Sequence, residues 1–356
     1  MTRTILMAAL AAALAGPALC GLIEVDVNGS GYTTIQEGLD AAAGCDTVLV
    51  APGVYEGPGN CNLSFGSKNL VLMSEAGPGS AIIDGGGTDR AFYLSNTGQD
   101  TISVIKGFWI RNGYTTNYNG GGLFFFGVGA VVEDCWISDC VASHNGGGLS
   151  VQYSRRPVKV RNCIFERNTA TYRGGAAIVD HASAMFRHCL FTDNWTTATG
   201  NDGYGGGALH MNWIDENNDD CDVTRCTFVR NSSTGNGTGI HAWHCVVWGS
   251  VSQCIIAFNE GASLGFYSNP MFENLVFSNL YGNEGGDVEP GYSTLIDGDP
   301  LFCNMDSGDF SLCENSPCLP DSNDYHVLVG FAGSGCPSCT SAIEETSWGR
   351  MKSLFR

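Results

Sequence analysis

Charge is scarce in this chain, and most of it carries one sign. Of 356 residues, 17 are Lys or Arg and 36 are Asp or Glu, a formal net charge of −19, and only four are Lys. That balance withholds the basic footprint that nucleic acids and anionic membrane surfaces require, so neither is an expected partner. Proline is sparse too, at 11, and the 49 glycines follow no Gly-X-Y period, which excludes collagen. Hydrophobic residues make up 43 %, too many for a disordered chain. Past the N-terminus no apolar run reaches the ~20 residues that span a bilayer, so no transmembrane segment is expected in the mature chain. The carboxylates would keep such a protein soluble and would suit calcium; no cofactor is required by anything in the sequence.

One short apolar run stands at the start. Arg3 precedes residues 5–14, rich in Ala and Leu, and then come Gly16-Pro17 and the small Ala18. This is the layout of a secretory signal peptide over residues 1–20, broken too early for a membrane anchor. Cleavage after Ala18 or after Cys20 leaves small residues at the recognition positions. Cys20 also raises lipidation, against which stands the bulky Leu19 just before it. Export makes the 16 cysteines eligible for disulfides.

What the chain has in abundance is repetition. One hexapeptide recurs as Cys135-Trp-Ile-Ser-Asp-Cys140, Cys163-Ile-Phe-Glu-Arg-Asn168, Cys189-Leu-Phe-Thr-Asp-Asn194, Cys226-Thr-Phe-Val-Arg-Asn231 and Cys254-Ile-Ile-Ala-Phe-Asn259. Weaker copies begin at Gly107 and Asn274, and successive starts lie 28, 28, 26, 37, 28 and 20 residues apart. A glycine cluster alternates with it: Gly120-Gly-Gly-Leu123, Gly146-Gly-Gly-Leu149, Gly174-Gly-Ala-Ala177, Gly205-Gly-Gly-Ala208 and Gly237-Thr-Gly-Ile240. A short alternating strand follows each glycine cluster, a second precedes each Cys, and Cys-x-Phe/Ile makes a third.

Three short strands per repeat joined by tight turns describe one coil of a β-helix, which must stack on its neighbours to bury its apolar side. Coils stack at ~4.8 Å, so equivalent inward side chains form columns. Cys135, Cys163, Cys189, Cys226 and Cys254 are expected in one column, and Ile137, Phe165, Phe191, Phe228 and Ile256 in the next. A third holds Asn168, Asn194, Asn231 and Asn259, each amide bonding its equivalent in the next coil. The glycines are expected to supply positive φ at the bends.

These interleaved motifs resemble the repeats of polymorphic outer membrane proteins and, more broadly, secreted bacterial right-handed parallel β-helix proteins of the pectin-lyase-like class. Residues 32–55 are similar to the entry of that fold, with an amphipathic helix over the open end near residues 35–43, then a strand and a Pro-Gly turn. Asp299-Pro-Leu-Phe302, with Gly308-Asp-Phe-Ser-Leu312 and Ser316-Pro-Cys318, resembles its closing coil. The resemblance covers residues 24–335 and implies an all-β right-handed solenoid with a capping helix, located outside a bacterial cell or on its surface. The expected organisation is a signal peptide (1–20), a β-helix with cap and closing coil (21–335) and a tail (336–356), whose Trp348, Met351, Lys352 and Phe355 fall at helical spacing.

Cysteines on adjacent coils point their Cβ atoms in parallel, so the column is expected to stay as buried thiols. Cys45 with Cys61, and pairs among Cys303, Cys313, Cys318, Cys336 and Cys339, are better placed for disulfides.

Three sets of residues offer chemistry. Asp180, His181, His210 and His241 fall near strand ends on three consecutive coils and could supply acid and base groups. Outward positions after the glycine clusters are read as Phe124, Ser150, Ala177, Leu209 and His241, then Phe126, Gln152, Val179, Met211 and Trp243. In that stripe Phe126 and Trp243, together with Trp213 and His244, would let sugar rings stack, or would be covered by a loop or by another subunit. The longer interval after Cys189 holds Asp215, Asp219, Asp220 and Asp222, either calcium ligands lacking the Gly and distal Glu of an EF-hand or a solvated acidic loop. The resemblance implies polysaccharide lyases or glycoside hydrolases as one outcome, but no complete catalytic signature is present. The leading expectation is therefore a structural, adhesion or glycan-binding protein whose partner is a polysaccharide or cell-surface component.

Overall fold

The computed structural model describes residues 20–95, 103–116, 118–197, 199, 203–214, 221–245, 250–267, 275–287 and 293–340. Within them the chain winds as a right-handed parallel solenoid. Consecutive coils pair in parallel and in register, as in Leu149–Gln152 on Ala177–Asp180 and Ile164–Glu166 on Leu190–Thr192. A first sheet holds strands such as Val158–Arg161, a second holds those such as Ile164–Glu166, and a third holds those following the glycines. Besides the three expected strands, a two-residue strand forms between the second and third, as in Val141–Ala142 and Thr169–Ala170.

The inward columns are those the repeat implies. All five Cys of the column are buried free thiols. Cys163, Cys189, Cys226 and Cys254 each donate to a carbonyl one coil back. Phe165, Phe191 and Phe228 stack face to face, 4.9 and 4.6 Å between centroids. In the asparagine column, Asn194 Oδ1 accepts from the backbone and side-chain nitrogens of Asn168, and its own Nδ2 donates to Phe165 O and Asn231 Oδ1. The ladder continues through Asn259 to Asn283, while Cys140 takes the first rung with its backbone N–H donating to Asn168 Oδ1. Each amide of this ladder thus finds partners that a lone coil could not supply.

The bends differ from expectation. Many use a single non-glycine residue at positive φ: Asp134, Asn162 and His188 after the first sheet, Asp139, Arg167 and Asp193 after the second, and Tyr153, His181 and Trp213 after the third. Their side chains leave the core, where ion pairs such as Arg167 with Asp139 and Arg230 with Asp193 offset part of the left-handed strain of ~1–2 kcal/mol per residue. At the corner before the third sheet glycine supplies the positive φ expected of it, at Gly120, Gly146, Gly174, Gly206 and Gly237, and there backbones crowd. A Cβ on Gly147 would sit 2.5 and 2.6 Å from the backbone O and N of Thr169, and closer still to Gly175 O.

A helix covers the N-terminal end. The helix Ile35–Ala41 starts with a Thr34/Glu37 capping box and buries Ile35 and Leu39. Cys45 bonds Cys20, not Cys61, because residue 20 leads directly into the first strand, which lies beside the strand after Cys45; Cys61 is a free thiol. At the C-terminus the segment expected as a closing coil instead forms a small sheet of Phe302–Asn304, Asp309–Cys313 and Ser334–Cys336, docked on the outer face of the second sheet. Leu190, Val229, Ile255 and Ala257, which point out of the solenoid, are buried under Phe302, Phe310, Leu312 and Val329. Cys303–Cys336 and Cys313–Cys339 staple this sheet, so Cys336 and Cys339 belong to it, and Cys318 remains a buried thiol. Residues 341–356 lie outside the described residues, as does the proposed signal segment up to residue 19. No described helix is long and apolar enough to cross a membrane.

Candidate functional site

The third sheet presents two outward rows, and its register corrects the one read from sequence. Phe124 pairs with Ser150, then Ile178, His210 and His241; Phe126 pairs with Gln152, then Asp180, Asn212 and Trp243. Ala177, Val179, Leu209 and Met211 are inward and buried. The frame is set by the left-handed glycines Gly146, Gly174, Gly206 and Gly237, each three residues before its strand. Counting instead from Gly205, or counting one short from Gly174, slips a strand by one residue and reverses its faces.

The four acid-base residues fall into two environments. His210 and His241 are fully buried and touch edge to face, 4.7 Å between centroids. Residues 203–205 lie beside His210 and Arg173: His210 Nδ1 donates to Gly205 O, and Arg173 Nε donates to Gly203 O. Neither ring nitrogen of His241, nor Nε2 of His210, has a hydrogen-bond partner among the described residues. Burial, then His241 and Arg173, hold His210 well below the ordinary histidine range, and burial followed by Arg173 holds His241 at about 4.

These shifts have a sign that can be read out. An unfolded chain takes up the His241 proton near pH 6.5, whereas the native protein refuses it until about pH 4. This contribution to stability is therefore full above pH 6.5 and falls as the pH drops through that window, by about 2 kcal/mol between pH 7 and pH 5 for His241 alone. Urea denaturation at the two pH values should show a smaller difference in His241→Leu than in the unsubstituted protein. Equal differences would contradict a buried, neutral His241.

Asp180 and His181 stand apart from that pair. Asp180 Oδ1 accepts from His181 Nδ1 at 3.0 Å and from Asn212 Nδ2 at 2.6 Å. His181 is the bend residue, and equivalent bends carry Tyr153, Trp213 and His244. Their rings form a ladder: Tyr153 to His181 5.2 Å, His181 to Trp213 5.7 Å, and Trp213 to His244 4.4 Å, all within 20° of parallel. Tyr153 is 54 % and Trp213 45 % exposed, so this ladder is open to solvent. Phe126 meets the Tyr153 end edge to face, and Trp243 meets His244 at 89°.

The structure thus brings Phe126, Trp213, Trp243 and His244 into one neighbourhood with Asp180 and His181, and encloses His210 and His241 beside it. Tyr153 escaped the sequence reading, although a signal existed: Tyr153, His181, Trp213 and His244 each lie seven residues after a left-handed glycine. Asp222 sits on the first sheet, its carboxylate accepting from Ser250 N and Oγ. Asp215, Asp219 and Asp220 lie outside the described residues. Among described residues the one grouping with metal-ligand proximity is Cys303, Cys313 and Cys336, all held in disulfides.

The sequence pattern of a family described as a right handed beta helix region matches residues 60–214. Similar solved structures include pectate lyase Pel9A, 13 % identical over 88 % of this chain and 96 % of that one, with a TM-score of 0.48. The pectin methylesterase from Aspergillus niger is 14 % identical over 80 % and 92 %, at 0.38. A mannuronic acid specific polysaccharide family 6 lyase from human gut microbiota is 10 % identical over 78 % and 91 %, at 0.27. No curated protein matches the chain.

Proposed function

We propose that this protein is exported by a bacterium and works outside the cell or on its surface as a polysaccharide-binding β-helix. The observation that carries the reading is the exposed ring ladder Tyr153, His181, Trp213 and His244, flanked by the hydrogen-bonding Asp180 and Asn212. Sugars offer apolar C–H faces and hydroxyl edges, and a row combining aromatic surface with polar groups answers both. Three disulfides suit an oxidising compartment, and the Cys20–Cys45 bond fits cleavage after Ala18 rather than after Cys20.

Binding is favoured over turnover because of how the acid-base residues are arranged. His210 and His241 are enclosed, and the Asp180 carboxylate is engaged by His181 and Asn212. The alternative is a polysaccharide lyase or glycoside hydrolase using the Asp180–His181 pair, with calcium as its cofactor. Electrophoresis through gels containing neutral polysaccharides or polyuronates, with parallel assays for new reducing ends and unsaturated products with and without calcium, separates the two. Retardation without product is the expected result. Product formation that disappears in Asp180→Ala would replace the binding reading with the enzymatic one.

A further inference from the structure

We infer that Tyr153 and Trp213 form the two walls of a single-ring subsite floored by His181, built to take one neutral, hydroxyl-bearing sugar ring of a polysaccharide. This rests on the polysaccharide-binding reading above and specifies where and what it binds.

The geometry follows from ring size. Tyr153, His181 and Trp213 occupy equivalent bend positions on three successive coils and stack within 20° of parallel. An imidazole is smaller than a phenol or an indole, so the outer parts of the Tyr153 and Trp213 rings overhang it. Trp213 is stacked on both faces, by His181 and His244, so its 45 % exposure, like the 54 % of Tyr153, belongs to the outer part of the ring beyond those imidazoles. The walls stand two coil repeats apart, ~10 Å at ~4.8 Å per coil. The imidazole fills the inner part of that gap; beyond its edge, with carbon surfaces packing at ~3.5–4.0 Å, one puckered ring fits between the overhanging rims of the two walls, whereas a flat ring would fit loosely.

Hydrogen-bond polarity selects the ring's chemistry. Asp180 Oδ1 accepts here, so the His181 nitrogen facing it, Nδ1, carries the proton. In the neutral imidazole Nε2 is then an acceptor. Asp180 Oδ1 takes the bonds from both His181 and Asn212, which leaves Oδ2 as a second acceptor. Two acceptors call for hydroxyl donors and disfavour a sugar carboxylate, which is itself an acceptor and carries the charge of Asp180. Arg155 and Arg156, exposed just past Tyr153, are the features that would instead suit an acidic sugar.

Isothermal titration with a soluble neutral β-glucan, a galactomannan and polygalacturonate tests this. The unsubstituted protein should bind at least one neutral polymer more tightly than polygalacturonate. Tyr153→Ala and Trp213→Ala should each weaken that binding about tenfold. Trp213→Tyr should restore most of it, and His181→Phe, which keeps the stack and removes Nε2, should weaken it. Trp136→Ala, whose ring stacks on Trp109 on the second sheet, should leave it unchanged. If the unsubstituted protein binds none of the polymers, the polysaccharide-binding reading fails. If it binds but the Tyr153 and Trp213 variants keep full affinity, the subsite alone is wrong. Tighter binding of polygalacturonate would overturn the choice of a neutral ring.

Discussion

Replacing Asn194 with alanine should lower the free energy of unfolding by about 4 kcal/mol, a large part of the ~5–15 kcal/mol by which folded domains are usually stable. Asn194 is fully buried and joins three coils. Its Oδ1 accepts from Asn168 N and Nδ2 at 3.0 Å, and its Nδ2 donates to Phe165 O and Asn231 Oδ1 at 2.9 Å. Alanine removes all four bonds and leaves the Asn168 N–H buried and unpaired, at roughly 1–3 kcal/mol, in addition to the bonds lost at Asn168 Nδ2, Phe165 O and Asn231 Oδ1. Aspartate would not rescue the site, because it cannot donate and would set a buried charge against Asn231 Oδ1. The urea midpoint reads the effect. Asn283 at the ladder's last rung is 7 % exposed, so the same substitution there should cost less. A loss under 1 kcal/mol at Asn194 would mean that the ladder is not a major source of cohesion between coils.

Gly147→Ala should be at least as damaging, for a steric reason. The added methyl would meet the backbone of Thr169 and Gly175, both in the next coil, and backbone cannot rotate away as a side chain can. Relief requires the two coils to part, which breaks ladder bonds such as Gly147 N to Gly174 O. We expect a loss of about 4 kcal/mol or more, seen as poor soluble yield or a strongly lowered urea midpoint. Gly44→Ala is the matched control, since a Cβ there meets nothing within 4 Å, and should change stability by no more than about 0.5 kcal/mol. Similar behaviour of the two variants would refute the claim that glycine is required for close coil approach.

The candidate site was only partly legible. Asp180, His181, Trp213 and His244 could be picked out because polar and aromatic residues on successive coils stand out against a repetitive background. Their grouping could not, because it depends on register: one miscounted residue placed Ala177 and Val179 outside and hid the alignment of Asp180 with Asn212. Tyr153 was overlooked because it occupies a bend, and a bend residue has no alternation to mark it. His210 and His241 looked equivalent to His181 in sequence, yet the first two are buried, His210 against Gly205 O, while the third stands at the surface.

The sequence by itself determined the solenoid and its interior. Equivalent residues stack on one another in a β-helix, so a repeat in sequence is a column in space, and the Cys, Phe and Asn columns could be listed before any coordinates. Tertiary structure alone decided what happens outside the coils. Strand alternation tells which side chains leave the core but carries no information about what later packs over them. The cover on the second sheet comes from residues 296–331, the bond from Cys20 to Cys45 comes from neighbouring strands, and the opening at Tyr153, His181 and Trp213 is what those covers leave exposed.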